Sequence, residues 1–162
     1  MNVKAATEQD ASFLFELFAS QKIAELGLDH LEPSLKNSII SMQWNARNQS
    51  YLQTFPGMKH FIIMHNNEPV GSLVTNDTLQ EIHIIDILIS PSFRNLGIGT
   101  LLLKQLQSDA SQQNVPLRLH VALNNAAKRL YERMGFYVYQ QDSVYLSMQW
   151  LPNSLSFTQL TN

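Results

Sequence analysis

The feature that most constrains this chain is a change of hydrophobic period in its middle. Glu81 to Ile89 is an isoleucine-rich run of strand length, Pro91 ends it, and Gly97 and Gly99 lead into a stretch where Leu102, Leu106 and Ala110 recur four apart. Leu117 to Ala122 then reads as a strand again. A strand, a helix and a further strand imply a crossover, so this segment predicts one parallel strand pair. The surrounding strands predict antiparallel neighbours. Lys59 to Met64 and Pro69 to Val74 flank the hairpin signal His65-Asn66-Asn67-Glu68, and Phe136 to Trp150 holds a final strand pair.

Upstream, Met1 to Ala6 reads as a short strand, and Thr7 or Asp10 can cap a helix carrying Phe13, Leu14, Leu17 and Phe18. Pro33 opens a second helix through about Tyr51, with Leu35, Ile39, Met42 and Ala46 on one stripe. A short helix over Asn125 to Met134 completes the order β-α-α-β-β-β-α-β-α-β-β. The expected fold is mixed α/β: a mostly antiparallel sheet with one parallel central pair, flanked by helices. A single domain is expected over residues 1–150, with a polar, loosely packed tail over 151–162.

With 162 residues, 44% of them hydrophobic and 15% charged, the chain can bury a core of its own. A net charge of −2 gives no general reason to bind nucleic acid or an anionic membrane. No apolar run approaches the length of a membrane span, and Met1-Asn2-Val3-Lys4 does not open a signal peptide, so a cytoplasmic location is expected. The absence of cysteine excludes disulfides, thiolate metal sites and a covalent thioester on a protein sulfur. The five histidines show no metal-ligand spacing, and no metal is expected.

The turn between the long strand and the third helix is Arg94-Asn95-Leu96-Gly97-Ile98-Gly99-Thr100. Glycines here open backbone torsions closed to other residues, and the free N–H groups at a helix start suit a phosphate. Arg94 adds a full charge. Two glycines before a helix are also a common packing device. The pattern fits neither the P-loop, which needs four residues between its glycines and a Lys-Ser/Thr ending, nor the dinucleotide fingerprint, whose third glycine is replaced by Leu102.

This loop resembles the motif Gln/Arg-x-x-Gly-x-Gly/Ala of the GCN5-related N-acetyltransferase (GNAT) superfamily. A second family pattern is matched by Asn124-Asn125-Ala126-Ala127-Lys128-Arg129-Leu130-Tyr131-Glu132-Arg133-Met134-Gly135-Phe136. The order of elements is similar too, so the resemblance covers about residues 1–150. It implies splayed fourth and fifth strands and acetyl-CoA as acyl donor. The pantetheine arm would pair with Ile87, Leu88 and Ile89, and the pyrophosphate would sit on Arg94, Asn95, Leu96, Gly97, Ile98, Gly99 and Thr100. Asn124 would contact the cofactor near the thioester, and Tyr131 would protonate the departing thiolate as general acid. Asn124 could equally cap the next helix, and Tyr131 could be a core tyrosine. Lys104, Lys128 and Arg129 read as solvated helix charges, one of which could meet the 3′-phosphate.

An amine acceptor must lose a proton. With regular alternation, Glu81, His83, Ile85, Ile87 and Ile89 share one face of the fourth strand, and Asp86 lies on the other with Ile82, Ile84 and Leu88. Relatives carry a base at positions matching Ile85 or His83. Ile85 cannot act, which makes His83 the first candidate, His120 the second and Asp86 the third. Structural roles are open for both histidines. Arg47 could grip a carboxylate on the acceptor side, with Trp44, Tyr51 and Phe55 near it, although such residues are more often core or surface. The expected activity is direct acetyl transfer to a primary amine of a small molecule, peptide or protein, in a ternary complex. The alternatives are a non-catalytic acyl-CoA-binding module and, further off, a module for another nucleotide. The resemblance also allows a homodimer.

Overall fold

The computed structural model describes residues 1–156. Seven strands form one sheet in the order β1-β2-β3-β4-β5-β7-β6. They are β1 (Asn2–Ala5), β2 (Lys59–His65), β3 (Glu68–Asp77), β4 (Ile82–Ile89), β5 (Leu117–Ala122), β6 (Tyr137–Gln141) and β7 (Tyr145–Trp150). The helices are α1 (Ala11–Leu26), α2 (Pro33–Thr54), α3 (Ile98–Gln113), α4 (Lys128–Arg133) and the short α5 (Asn153–Ser156). As expected for the crossover, β4 and β5 run parallel, and every other strand pair is antiparallel. The β2–β3 hairpin turns on Asn66 and Asn67 at φ 50° and 65°, the left-handed torsions a two-residue hairpin needs.

The helices divide between the two faces of the sheet. Ile98, Leu102, Leu103, Leu106 and Ala110 of α3 pack on Leu73, Ile82, Ile84, Leu117, Leu119, Val121 and Met148. The opposite face is covered by α1, which buries Leu14, Leu17 and Phe18, and by α2. The stripe expected on α2 is displaced around the helix. Leu35 and Met42 are 52% and 62% exposed, and the inward row is Ile40, Trp44, Arg47 and Tyr51. Trp44 packs against Phe15 and Phe18 at ring-centroid distances of 5.8 and 5.2 Å. That row docks α2 on α1 and aims Arg47 at the sheet. No helix among the described residues is long and apolar enough to cross a membrane.

Strand β4 departs from regular alternation. Asp86 is opposite Val74 of β3 and Ile84 is opposite Thr75, so Ile85 is an extra residue, a β-bulge. Beyond it the faces exchange. Ile82 and Ile84 belong to the α3-side core, and Ile87 and Ile89 pack against it. His83 and Asp86 face α2, where they meet Phe55 and Arg47. The alternation that separated His83 from Asp86 is therefore corrected: both lie on the face that α2 covers. The bulge follows directly on Ile84↔Leu119, the last of the three β4–β5 pairs. Further along, the two strands diverge.

The start of the C-terminal tail is packed. Pro152 is buried and the Ser154 hydroxyl donates to Asn114 Oδ1 at 2.5 Å. The rest of the expected loose tail, 157–162, lies outside the described residues.

Two tests follow from this packing. A Cβ on Gly71 would lie 2.3 Å from the Leu88 carbonyl oxygen, a clash with backbone of the neighbouring strand. Gly71→Ala should lower stability in urea melts by about 1–3 kcal/mol. His60 and His83 are held below the ordinary histidine pKa, chiefly by burial, and by Arg47 and His120 respectively. The unfolded chain therefore takes up more protons than the folded one as pH falls through the unfolded histidine value of about 6.5. Stability should be full above that pH and decline below it, and replacing both histidines by Gln should flatten the slope between about pH 7 and 5.

Candidate active site

Where β4 and β5 part, a cleft of about 830 Å³ opens. Its walls are Ile85–Ile89 of β4, the turn into α3, His120 and Val121 of β5, and the inner side of α4 with Ala127, Leu130 and Tyr131. Among the described residues, the β5-facing backbone edge of β4 has no strand partner beyond Ile84. This is an unpaired strand edge inside a cleft, suited to an extended chain of amides.

The turn into α3 leaves a row of backbone donors open. A single 3-10 turn, Pro91–Phe93, ends the strand direction, and Asn95 and Gly97 adopt φ 61° and 79°. Gly97 caps α3 in the left-handed region, and a Cβ there would meet nothing within 4 Å, so its requirement is torsional. Gly99 packs closely, since a Cβ there would lie 3.0 Å from Leu130 Cδ2 of α4, which would have to shift by a few tenths of an ångström. The N–H groups of Asn95 through Thr100 have no protein acceptor among the described residues. Those of Ile98, Gly99 and Thr100 open a 16-residue helix, an arrangement suited to an anion. Arg94 lines the cleft, and its Nε donates to the Ile89 carbonyl at 3.0 Å, tying the turn to the end of β4.

Most residues singled out from the sequence meet here. Ile87, Leu88, Ile89, Arg94, Asn95, Gly97, Ile98, Gly99, Thr100, His120 and Tyr131 all line the cleft. Leu96 is 62% exposed and does not line it. Asn124 is exposed outside the lining, which Asn125 joins instead. Neither asparagine caps α4 through its side chain; Asn125 Oδ1 accepts from the Ala127 N–H at 2.9 Å, a turn just before the helix.

Tyr131 sits with its ring 5.8 Å from Phe136. Burial, reinforced by the nearby negative charge of Asp86, pushes its phenol up to about 12, so it keeps its proton at neutral pH. His120 is exposed, and its Nδ1 lies 3.0 Å from the Ser147 hydroxyl, which orients the ring and leaves Nε2 free among the described residues. His83 is 7% exposed and does not line the cleft. Its ring is held between Phe55 and His120 at 5.4 and 5.0 Å, with Nδ1 3.6 Å from a Glu81 oxygen.

On the α2 side a smaller pocket of about 370 Å³ adjoins the cleft at Asp86 and Leu88. Arg47 does not stand free in it. Its guanidinium donates to Asp86 at 2.5 Å and lies 4.6, 5.4 and 5.5 Å from the rings of Tyr51, Trp44 and Phe18. Sequence reasoning passed over Asn125 and Arg133 as lining residues and left Arg129 among the solvated charges. Their helical spacing with Ala126 and Leu130 was the available signal.

The profile of the acetyltransferase (GNAT) family matches residues 23–136. Over 75 residues the chain is 33% identical to a [ribosomal protein bS18]-alanine N-acetyltransferase of Haemophilus influenzae, which is 46% of this chain and 51% of the relative. The match thus spans about half the length of that curated relative. Among solved structures, PaiA N-acetyltransferase of Thermoplasma acidophilum in complex with coenzyme A superposes with a TM-score of 0.69 at 16% identity, over 93% of this chain and 98% of that one. The ribosomal-protein-S18-alanine N-acetyltransferase of Escherichia coli gives 0.60 at 20% identity, over 93% and 92%. These distant superpositions show a shared fold, and with the match over residues 23–136 they establish that this chain belongs to the GNAT acetyltransferase family.

Proposed function

We propose that this protein transfers an acetyl group from acetyl-CoA to a primary amine in a ternary complex. The observation that carries the reading is one cleft that holds a buried phenol, an oriented imidazole and, in the turn into α3, a row of unpaired N–H groups. The pyrophosphate would accept from the N–H groups between Asn95 and Thr100, with Arg94 beside it. The pantetheine amides would pair with the open edge of β4 at Ile87, Leu88 and Ile89. Asn125, which lines the cleft where Asn124 was expected to, is assigned the contact near the thioester.

We assign the general base to His120, because its Nε2 is free and the ring lines the cleft, whereas Phe55 covers His83. The amine nitrogen attacks the thioester carbonyl, the C–N bond forms and the C–S bond breaks. The amine's proton passes to His120, and the departing thiolate takes the phenolic proton of Tyr131. Solvent exchange then restores both side chains. A phenol lifted by burial is matched to this task, since the same dry surroundings raise the affinity of the thiolate for a proton. The pocket beside Asp86 gives room for the body of the acceptor. The bacterial relative is named for acetylating an alanine of a ribosomal protein, which puts a peptide N-terminus first among amines to try, ahead of small amines and lysine.

Turnover is read as amine-dependent release of CoA. Tyr131→Phe should lower it by roughly 10²–10⁴-fold while acetyl-CoA affinity is kept. Undiminished turnover would contradict the acid role. His120→Gln should remove most amine-dependent CoA release while acetyl-CoA affinity is kept, and His83→Gln should retain most of that release. The reverse pattern would return the base to His83.

A further inference from the structure

Three of the five arginines have partners inside the protein: Arg47 with Asp86, Arg94 with the Ile89 carbonyl and Arg118 with Glu81. Arg129 and Arg133 differ. Both are exposed, both line the cleft, and neither makes a side-chain hydrogen bond, ion pair or ring contact among the described residues. The neighbouring acid does not serve them, because Glu132 pairs with Lys128 at 3.4 Å. Four residues apart, the two guanidiniums stand one turn from each other on one flank of α4. Each is two residues from Tyr131, hence about 200° around the helix from it. The charges therefore face away from the phenol. Leu130, between them and Tyr131, is seated at Gly99 and fixes this flank beside the start of α3. Like charges one turn apart weaken a helix, a cost that a bound anion would remove.

We propose that Arg129 and Arg133 clamp the 3′-phosphate of the coenzyme and make this protein selective for CoA over its 3′-dephospho form. The proposal rests on the acyl-CoA reading above. The two kinds of phosphate in that ligand call for different partners. Each pyrophosphate unit carries about one charge and suits the N–H donors of the turn into α3. The 3′-phosphate is a monoester with a charge of about −1.5 to −2 at neutral pH, and it calls for full cations. A pair of guanidiniums supplies them with fixed, bidentate geometry.

The test is calorimetric titration of the folded protein, at low salt, with CoA and with 3′-dephospho-CoA. The wild type should bind CoA tighter by about tenfold or more. Arg129→Gln/Arg133→Gln should bring the ratio close to one and leave the affinity for 3′-dephospho-CoA unchanged. Lys128→Gln, which alters a charge paired outside the cleft, should keep the wild-type ratio. An unchanged ratio in the double variant would overturn the proposal, as would an equal loss for both ligands or a wild type without preference. Failure of the wild type to bind either ligand would instead remove the acyl-CoA reading, and the clamp with it.

Discussion

The site depends on a single irregularity, the extra residue Ile85 in β4. A bulge bends its strand and increases the local twist. Placed one residue after the last β4–β5 pair, it marks the point where the two strands cease to hold each other. Three consequences share this origin. The β5-facing backbone edge from Ile85 to Ile89 is left without a strand partner among the described residues, inside a cleft. The side chains of Ile87 and Ile89 return to the α3-side core, so the strand stays anchored although its pairing has ended. Asp86 is turned to the face where α2 presents Arg47.

The Arg47–Asp86 pair then links helix docking to the chemistry. Its side chains are 13% and 22% exposed, so loss of either partner would strand the other charge in a poorly solvated place. Three aromatic rings around the guanidinium keep it there. The carboxylate it holds is also the charge that, after burial, contributes most to raising the Tyr131 phenol, and it acts in the same direction on Tyr51. One ion pair thus positions α2 against the sheet and helps keep a proton on the group proposed to deliver it.

Much of this could be read from the sequence, because the signals were local. Pro91, the two glycines and the spacing of Leu102, Leu106 and Ala110 fixed a strand, a turn and a helix in that order, which forces the parallel pair. The Asn66-Asn67 turn and the buried row of α1 were local in the same way. The bulge was not legible, since Ile84 and Ile85 are identical in type and an inserted isoleucine leaves no mark on a strand pattern. The face of α2 was not legible either. Apolar residues stand on both sides of that helix, and the choice falls to an ion pair spanning 39 positions. The preference for His120 over His83 likewise rests on a contact between distant positions: Phe55, at the end of α2, stacks on His83.

The central claim is that the cleft between β4 and β5 receives an acyl-CoA, and one titration tests it. Purified, folded protein should bind acetyl-CoA with a dissociation constant on the order of micromolar (about −8 kcal/mol) and bind NAD and ATP far more weakly. Folded protein that ignores acetyl-CoA, or binds the three ligands alike, would contradict the account and leave the turn into α3 as a feature of the fold alone.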